Sequence, residues 1–109
     1  MKKIIYTEKD IKDARISQRF NGRDEIVDLF EKILTTAVLI YNESLNGKSD
    51  DEIINKSIAS AFGIELIEEK NNFDIFSRYC NGGKIEPYLV RSAFIYNLKK
   101  ALEHLINKQ

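Results

Sequence analysis

Between Asp24 and Leu45 the apolar residues recur at three- and four-residue steps: Ile26, Leu29 and Phe30, Ile33 and Leu34, Ala37, Ile40 and Tyr41, then Leu45. That spacing gathers them on one side of an α-helix and scatters them over both faces of a strand. Across Ile33–Tyr41 (ILTTAVLIY) only Thr35 and Thr36 interrupt the run, so this part is expected to be covered on most sides. Twenty-odd helical residues span roughly 30 Å, the width of a small domain. β-branched residues lower the helix propensity of this stretch, so burial has to hold it. The rest of the chain must supply the cover, and a central helix of this kind fixes a mostly α-helical fold.

The flanking segments read as that cover. Lys2–Tyr6 (KKIIY) is a short β-leaning stretch, either extended or frayed, which makes residues 1–6 a candidate flexible arm. Thr7 suits an N-cap, with Glu8 and Asp10 in the first turn where the helix dipole favours acids. A helix from Glu8 to about Arg19 follows on a thin stripe of Ile11, Ala14 and Ile16, with Phe20 at its end, and Asn21–Gly22 stops it. After the central helix stops at Asn46–Gly47, Ser49-Asp50-Asp51-Glu52 forms a capping box, a hydroxyl cap with glutamate three residues on. The helix it opens shows Ile54, Ile58, Ala61 and Phe62 on one side and is expected to close at Gly63. Ile64–Ile67 reads equally as a two-turn helix or a brief extended segment. Phe73, Ile75, Phe76 and Tyr79 crowd a short aromatic helix that Gly82 and Gly83 end. Pro87 then opens a last helix running to about Ile106, buried along Val90, Phe94, Leu98, Ala101 or Leu102, and Leu105. The expectation is a single compact domain over residues 1–109, with four to five helices.

At 109 residues, 43% apolar and with eleven aromatic side chains, six Phe and five Tyr, the chain can bury one core. One proline, five glycines and 31% charged residues favour helices over a turn-rich sandwich. A lone cysteine and the absence of an apolar leader point to a cytoplasmic setting, and no apolar run approaches bilayer length. Net charge is zero but segregated. Residues 1–24 carry seven Lys/Arg against four Asp/Glu, residues 25–76 four against eleven, and residues 77–109 six against two.

Few residues invite chemistry. His104 and Cys80 are the only members of their types and have no partner set at metal-ligand spacing, so no catalytic residue, metal or cofactor is expected. Asn81-Gly82-Gly83-Lys84 lacks the spacing and the Lys-Ser/Thr pair of a phosphate loop, and reads first as a tight helix–helix corner and a distant second as an anion site. Glu65, Glu68 and Glu69 read as a solvated face. Asp50, Asp51 and Glu52 serve first as cap and first-turn charge, and second as an acidic face for a protein contact. Arg15, Arg19 and Arg23, at i, i+4, i+8, form one ridge if the first helix continues that far. With Arg78, Lys84 and Arg91 they make up the candidate nucleic-acid contact.

Phe76-Ser77-Arg78-Tyr79-Cys80-Asn81-Gly82-Gly83 resembles the Phe-x-x-Tyr-Ala-Asn-Gly-Gly motif of Dnd-system-associated protein 4, with Cys80 in place of alanine. These are small accessory proteins encoded beside bacterial DNA-phosphorothioation (Dnd) defence genes. Phe30–Tyr41 corresponds to that family's apolar helix and Ile54–Phe62 to its isoleucine- and alanine-rich helix, so the similarity covers about Val27–Leu89. The family's glycine after the apolar segment is absent near Tyr41–Asn42. The resemblance implies a role beside a DNA-modification defence system and carries no catalytic residue across.

Three functional readings follow. The first is a non-enzymatic accessory or adaptor protein of an anti-phage or mobile-element system, acting through protein contacts, with a homodimer also expected. The second is a small nucleic-acid-binding regulator using the basic ridge. The third is a phage or mobile-element protein that inhibits a host enzyme with its acidic middle.

Overall fold

A computed structural model describes residues 3–17, 24–44, 50–68 and 87–108. Four helices run through them: α1 (Glu8–Ser17), α2 (Asp24–Glu43), α3 (Asp50–Glu68) and α4 (Pro87–Asn107). α2 is the centre, packing on α1, α3 and α4 in turn. Of its expected stripe Ile26, Leu29, Phe30, Ile33, Leu34, Ala37 and Tyr41 are buried, and Val38 joins them. Ile40 is only partly covered and Leu39 is 51% exposed, so Ile33–Tyr41 keeps one open side. Thr35 and Thr36 do not disturb the stripe, because each hydroxyl donates to the carbonyl four residues back, Glu31 and Lys32 respectively. Around this rod the described residues form a compact, mostly α-helical domain.

Aromatic contacts lock α2, α3 and α4 together. The Phe94 ring of α4 meets Phe30 of α2 edge-on, with centroids 5.4 Å apart and planes at 82°. It also touches Phe62 of α3 at 6.0 Å. Both separations fall in the range where edge-to-face rings attract beyond their area burial. Leu98, Ala101, Leu102 and Leu105 continue the buried α4 stripe as expected, while Val90 is only partly covered.

α1 begins with reciprocal capping. The Thr7 N–H donates to Asp10 Oδ2 at 2.8 Å, and the Asp10 N–H donates to Thr7 Oγ1 at 3.3 Å. Two orphan donors of the first turn are satisfied in this way. Ile11 and Ala14 are buried, but Ile16, expected on the same stripe, is 54% exposed. The helical angle explains it, since two residues beyond Ala14 is about 200° around the axis. The Lys108 ammonium, 3.5 Å from Asp10 Oδ1, ties the end of α4 to the start of α1. The segment before α1 is docked as well. Ile4 is buried in the core, and the Asn42 side chain bonds its backbone.

Two expectations about α3 change. The helix does not close at Gly63 but runs on to Glu68, which resolves Ile64–Ile67 as helix. An interior glycine costs roughly 1 kcal/mol relative to alanine, and packing against α2 outweighs it. Glu65, expected on a solvated face, is buried at 3% exposure and faces Lys32 of α2 across 3.1 Å. The Phe76–Gly83 motif, Cys80, and the stops at Asn21–Gly22 and Asn46–Gly47 lie outside the described residues.

Candidate protein-contact site

The outer flanks of α3 and α4 leave a groove between them. Asn55, Ile58, Ala59, Phe62 and Gly63 line it from α3, and Arg91, Ile95, Tyr96 and Lys99 from α4. On α3 Asn55, Ala59 and Gly63 repeat at four-residue steps and form a lip along the edge of the buried stripe, to which Ile58 and Phe62 belong. Ala59 and Gly63 keep that lip low, and a Cβ added to Gly63 would meet nothing within 4 Å. The floor is apolar. Among the described residues of the lining the charged side chains are both cationic, Arg91 and Lys99.

Arg91 is fixed by its surroundings. Its guanidinium carbon lies 4.8 Å from the Phe62 ring centroid, and its stem is partly covered. A cation over an aromatic face is attracted by the ring quadrupole, and this holds the guanidinium over Phe62. Tyr96 stands at the α4 lip with 61% of its surface exposed, and the Lys100 ammonium lies 5.5 Å from its ring centroid. Tyr88 and Leu89, about two turns earlier on α4, are 64% and 48% exposed. The groove and these side chains give α4 an outward surface rich in aromatic and cationic groups.

The basic residues singled out in the sequence do not share one described surface. α1 is described over Glu8–Ser17, and Arg19, Arg23, Arg78 and Lys84 lie outside the described residues. Arg15 turns toward α2, donating through Nε to Glu31 Oε1 at 3.0 Å. Arg91 belongs to the α3–α4 groove instead. Asp50, Asp51 and Glu52 are exposed in the first turn of α3, where the helix N-terminus favours carboxylates. Asp50 also reaches the interior electrostatically. Burial first, and then the Asp50 charge, push the pKa of the Tyr41 phenol up from its usual value.

A second groove, of about 420 Å³, lies between the N-terminal segment with α1 and α2. Its lining mixes Glu8, Asp28 and Glu31 with Lys12 and Lys32, so it presents no single sign of charge. Among the described residues no group of three or more His, Cys, Asp or Glu side chains is gathered as metal ligands would be, and no helix is long and apolar enough to cross a membrane.

Sequence reading singled out Arg91 but missed the groove around it. The signal available was the small pair Ala59 and Gly63, four apart on the outer side of α3. Tyr88 and Tyr96, eight apart outside the α4 stripe, are its counterpart. Comparison with protein-family models, with curated proteins and with solved structures finds no match.

Proposed function

We propose that this chain is a non-enzymatic adaptor that works by binding another protein through the α3–α4 surface. The observation that carries the reading is the groove itself, an apolar floor between Phe62 and Ile95 with Tyr96 and Lys99 at its edge. Protein interfaces are enriched in aromatic anchors beside apolar hollows, and a few such residues carry most of the binding energy. Tyr88, Leu89 and Tyr96 extend the same surface beyond the hollow. The setting, an accessory role beside a bacterial DNA-modification defence system, rests on the likeness of Phe76–Gly83 to the Dnd-associated motif.

The test is affinity capture with the tagged full chain, in cells that carry such a defence locus. The expected result is one stoichiometric partner encoded in that locus, lost on Tyr88→Ser plus Tyr96→Ser while the fold is kept. No partner, together with turnover of a nucleotide or phosphodiester substrate by the purified chain, overturns the reading.

A further inference from the structure

We infer that the α3–α4 groove receives an amphipathic helix whose flank facing α4 is acidic. This rests on the adaptor reading and names the chemistry of the partner. Size sets the first limit. The hollow holds about 250 Å³, below the ~300–1,000 Å³ of pockets that enclose small molecules. It is the size for a few inserted side chains. Length sets the second. From Asn55 to Gly63 the α3 lip is about 12 Å long at 1.5 Å per residue. That is the span of anchors at i, i+3 or i+4, and i+7 on a helix laid in a groove. The open space over Gly63 lets the backbone of such a helix come close to α3.

Charge names the occupant. Among the described residues the lining carries Arg91 and Lys99 and no carboxylate; Lys99 stands on the α4 side, while the Arg91 guanidinium reaches over Phe62 of α3. Among the described residues Lys99 is engaged in no ion pair. A helix seated here gains by placing Asp or Glu along its α4 edge, and a basic edge is repelled. The opposite end of the α3 lip has the other sign, because Asp51 lies one turn before Asn55 on the same face. Nucleic acid suits this site poorly. Its phosphates call for cations spaced along a track, and here two cations border an apolar floor beside Asp51.

The experiment titrates the isotope-labelled full chain with two stapled peptides of about 16 residues carrying identical leucine anchors at helical spacing. One has an acidic flank and the other a lysine flank. The acidic peptide is expected to shift the amides of Ile58, Ala59, Gly63 and Ile95, and to bind about tenfold tighter than its basic counterpart. Lys99→Glu should remove that preference, and Gly63→Trp, which fills the open space, should abolish binding while the far-side amides stay in place. If Gly63→Trp disturbs the fold, the loss of preference in Lys99→Glu still decides. Equal affinity for both peptides, no shift with either, a stronger response to a single-stranded oligonucleotide, or occupation of the groove by a second copy seen in light scattering each overturns the inference. Suppose the peptides fail but Gly63→Trp still releases the partner captured from cells. Then the acidic helix is wrong and the adaptor reading stands. Loss of neither interaction removes both.

Discussion

Asn42 holds Ile4 by both ends of its side-chain amide, accepting the Ile4 N–H at 2.7 Å and donating to the Ile4 carbonyl at 3.0 Å. A side chain of α2 thus does for one residue what a neighbouring strand does for many. It satisfies a backbone donor and acceptor that would otherwise be buried unpaired. This lets Ile4 enter the core at 3% exposure while Ile5, next along, points outward at 84%. Asn42→Leu removes both bonds and leaves two buried backbone groups to find water. The expected loss is about 1–3 kcal/mol, read from the urea midpoint, with faster amide exchange confined to residues 3–6.

Much of this fold was open to sequence reasoning, and the exceptions share a cause. The α2 stripe, the start of α1 at Thr7, and the α4 stripe from Phe94 to Leu105 all follow from local spacing and capping. Gly63, Glu65 and Asn42 do not, because what each does depends on a neighbour distant in sequence. Gly63 reads locally as a stop, yet α3 runs on past it and Glu65 meets Lys32 of α2 there. Glu65 reads as one of a solvated acidic group until Lys32 is found opposite. The groove was hidden for the same reason, since two lips on helices about thirty residues apart have no joint signature in one dimension.

Gly63 offers a stabilising substitution. It sits inside α3, and nothing approaches the position of an added Cβ within 4 Å. Gly63→Ala should raise stability by about 0.5–1 kcal/mol through the lost backbone freedom of the unfolded chain. Thermal unfolding of the two proteins side by side measures it. A decrease would mean that the helix is not regular at this position.

Lys32 and Glu65 should be coupled. The Glu65 side chain is 4% exposed and that of Lys32 48%, so the carboxylate is buried and the ammonium is half in water. Lys32→Met removes that cation from a buried carboxylate and should cost about 1–3 kcal/mol. Glu65→Leu on top of it should recover part of the loss, because the carboxylate no longer has to be desolvated. A double-mutant cycle by urea unfolding checks this, and strict additivity would show that the pair does not interact.

Phe94 is the aromatic hub, meeting Phe30 and Phe62 from α4. Phe94→Ala should cost about 3–5 kcal/mol through lost burial and the cavity left behind. Against a total of about 5–15 kcal/mol for a domain, that brings the chain close to unfolding. Phe94→Leu keeps most of the volume and should lose markedly less. Near-ultraviolet dichroism and calorimetry separate the two. An equal loss from both would place the contribution in ring geometry and not in filled space.

Asp10 gives α1 a dependence on pH whose sign is fixed. Its carboxyl is held below the ordinary 3.8, first by the Thr7 backbone N–H and further by the Thr7 hydroxyl and the Lys108 ammonium, with desolvation opposing. The unfolded chain therefore takes up this proton at a higher pH than the folded one does. The stabilisation is complete above the unfolded value and is lost as pH falls through the lower, folded one. Asp10→Asn keeps the size but can no longer offer a carboxylate to Thr7 or Lys108. The variant should be less stable than the parent near neutrality, and the gap should close as the pH is lowered. Urea midpoints measured from about pH 6 to about pH 2.5 follow that closure. A gap that stays constant over the range would mean that the capping contact acts through shape and neutral hydrogen bonding, with the charge on Asp10 contributing nothing.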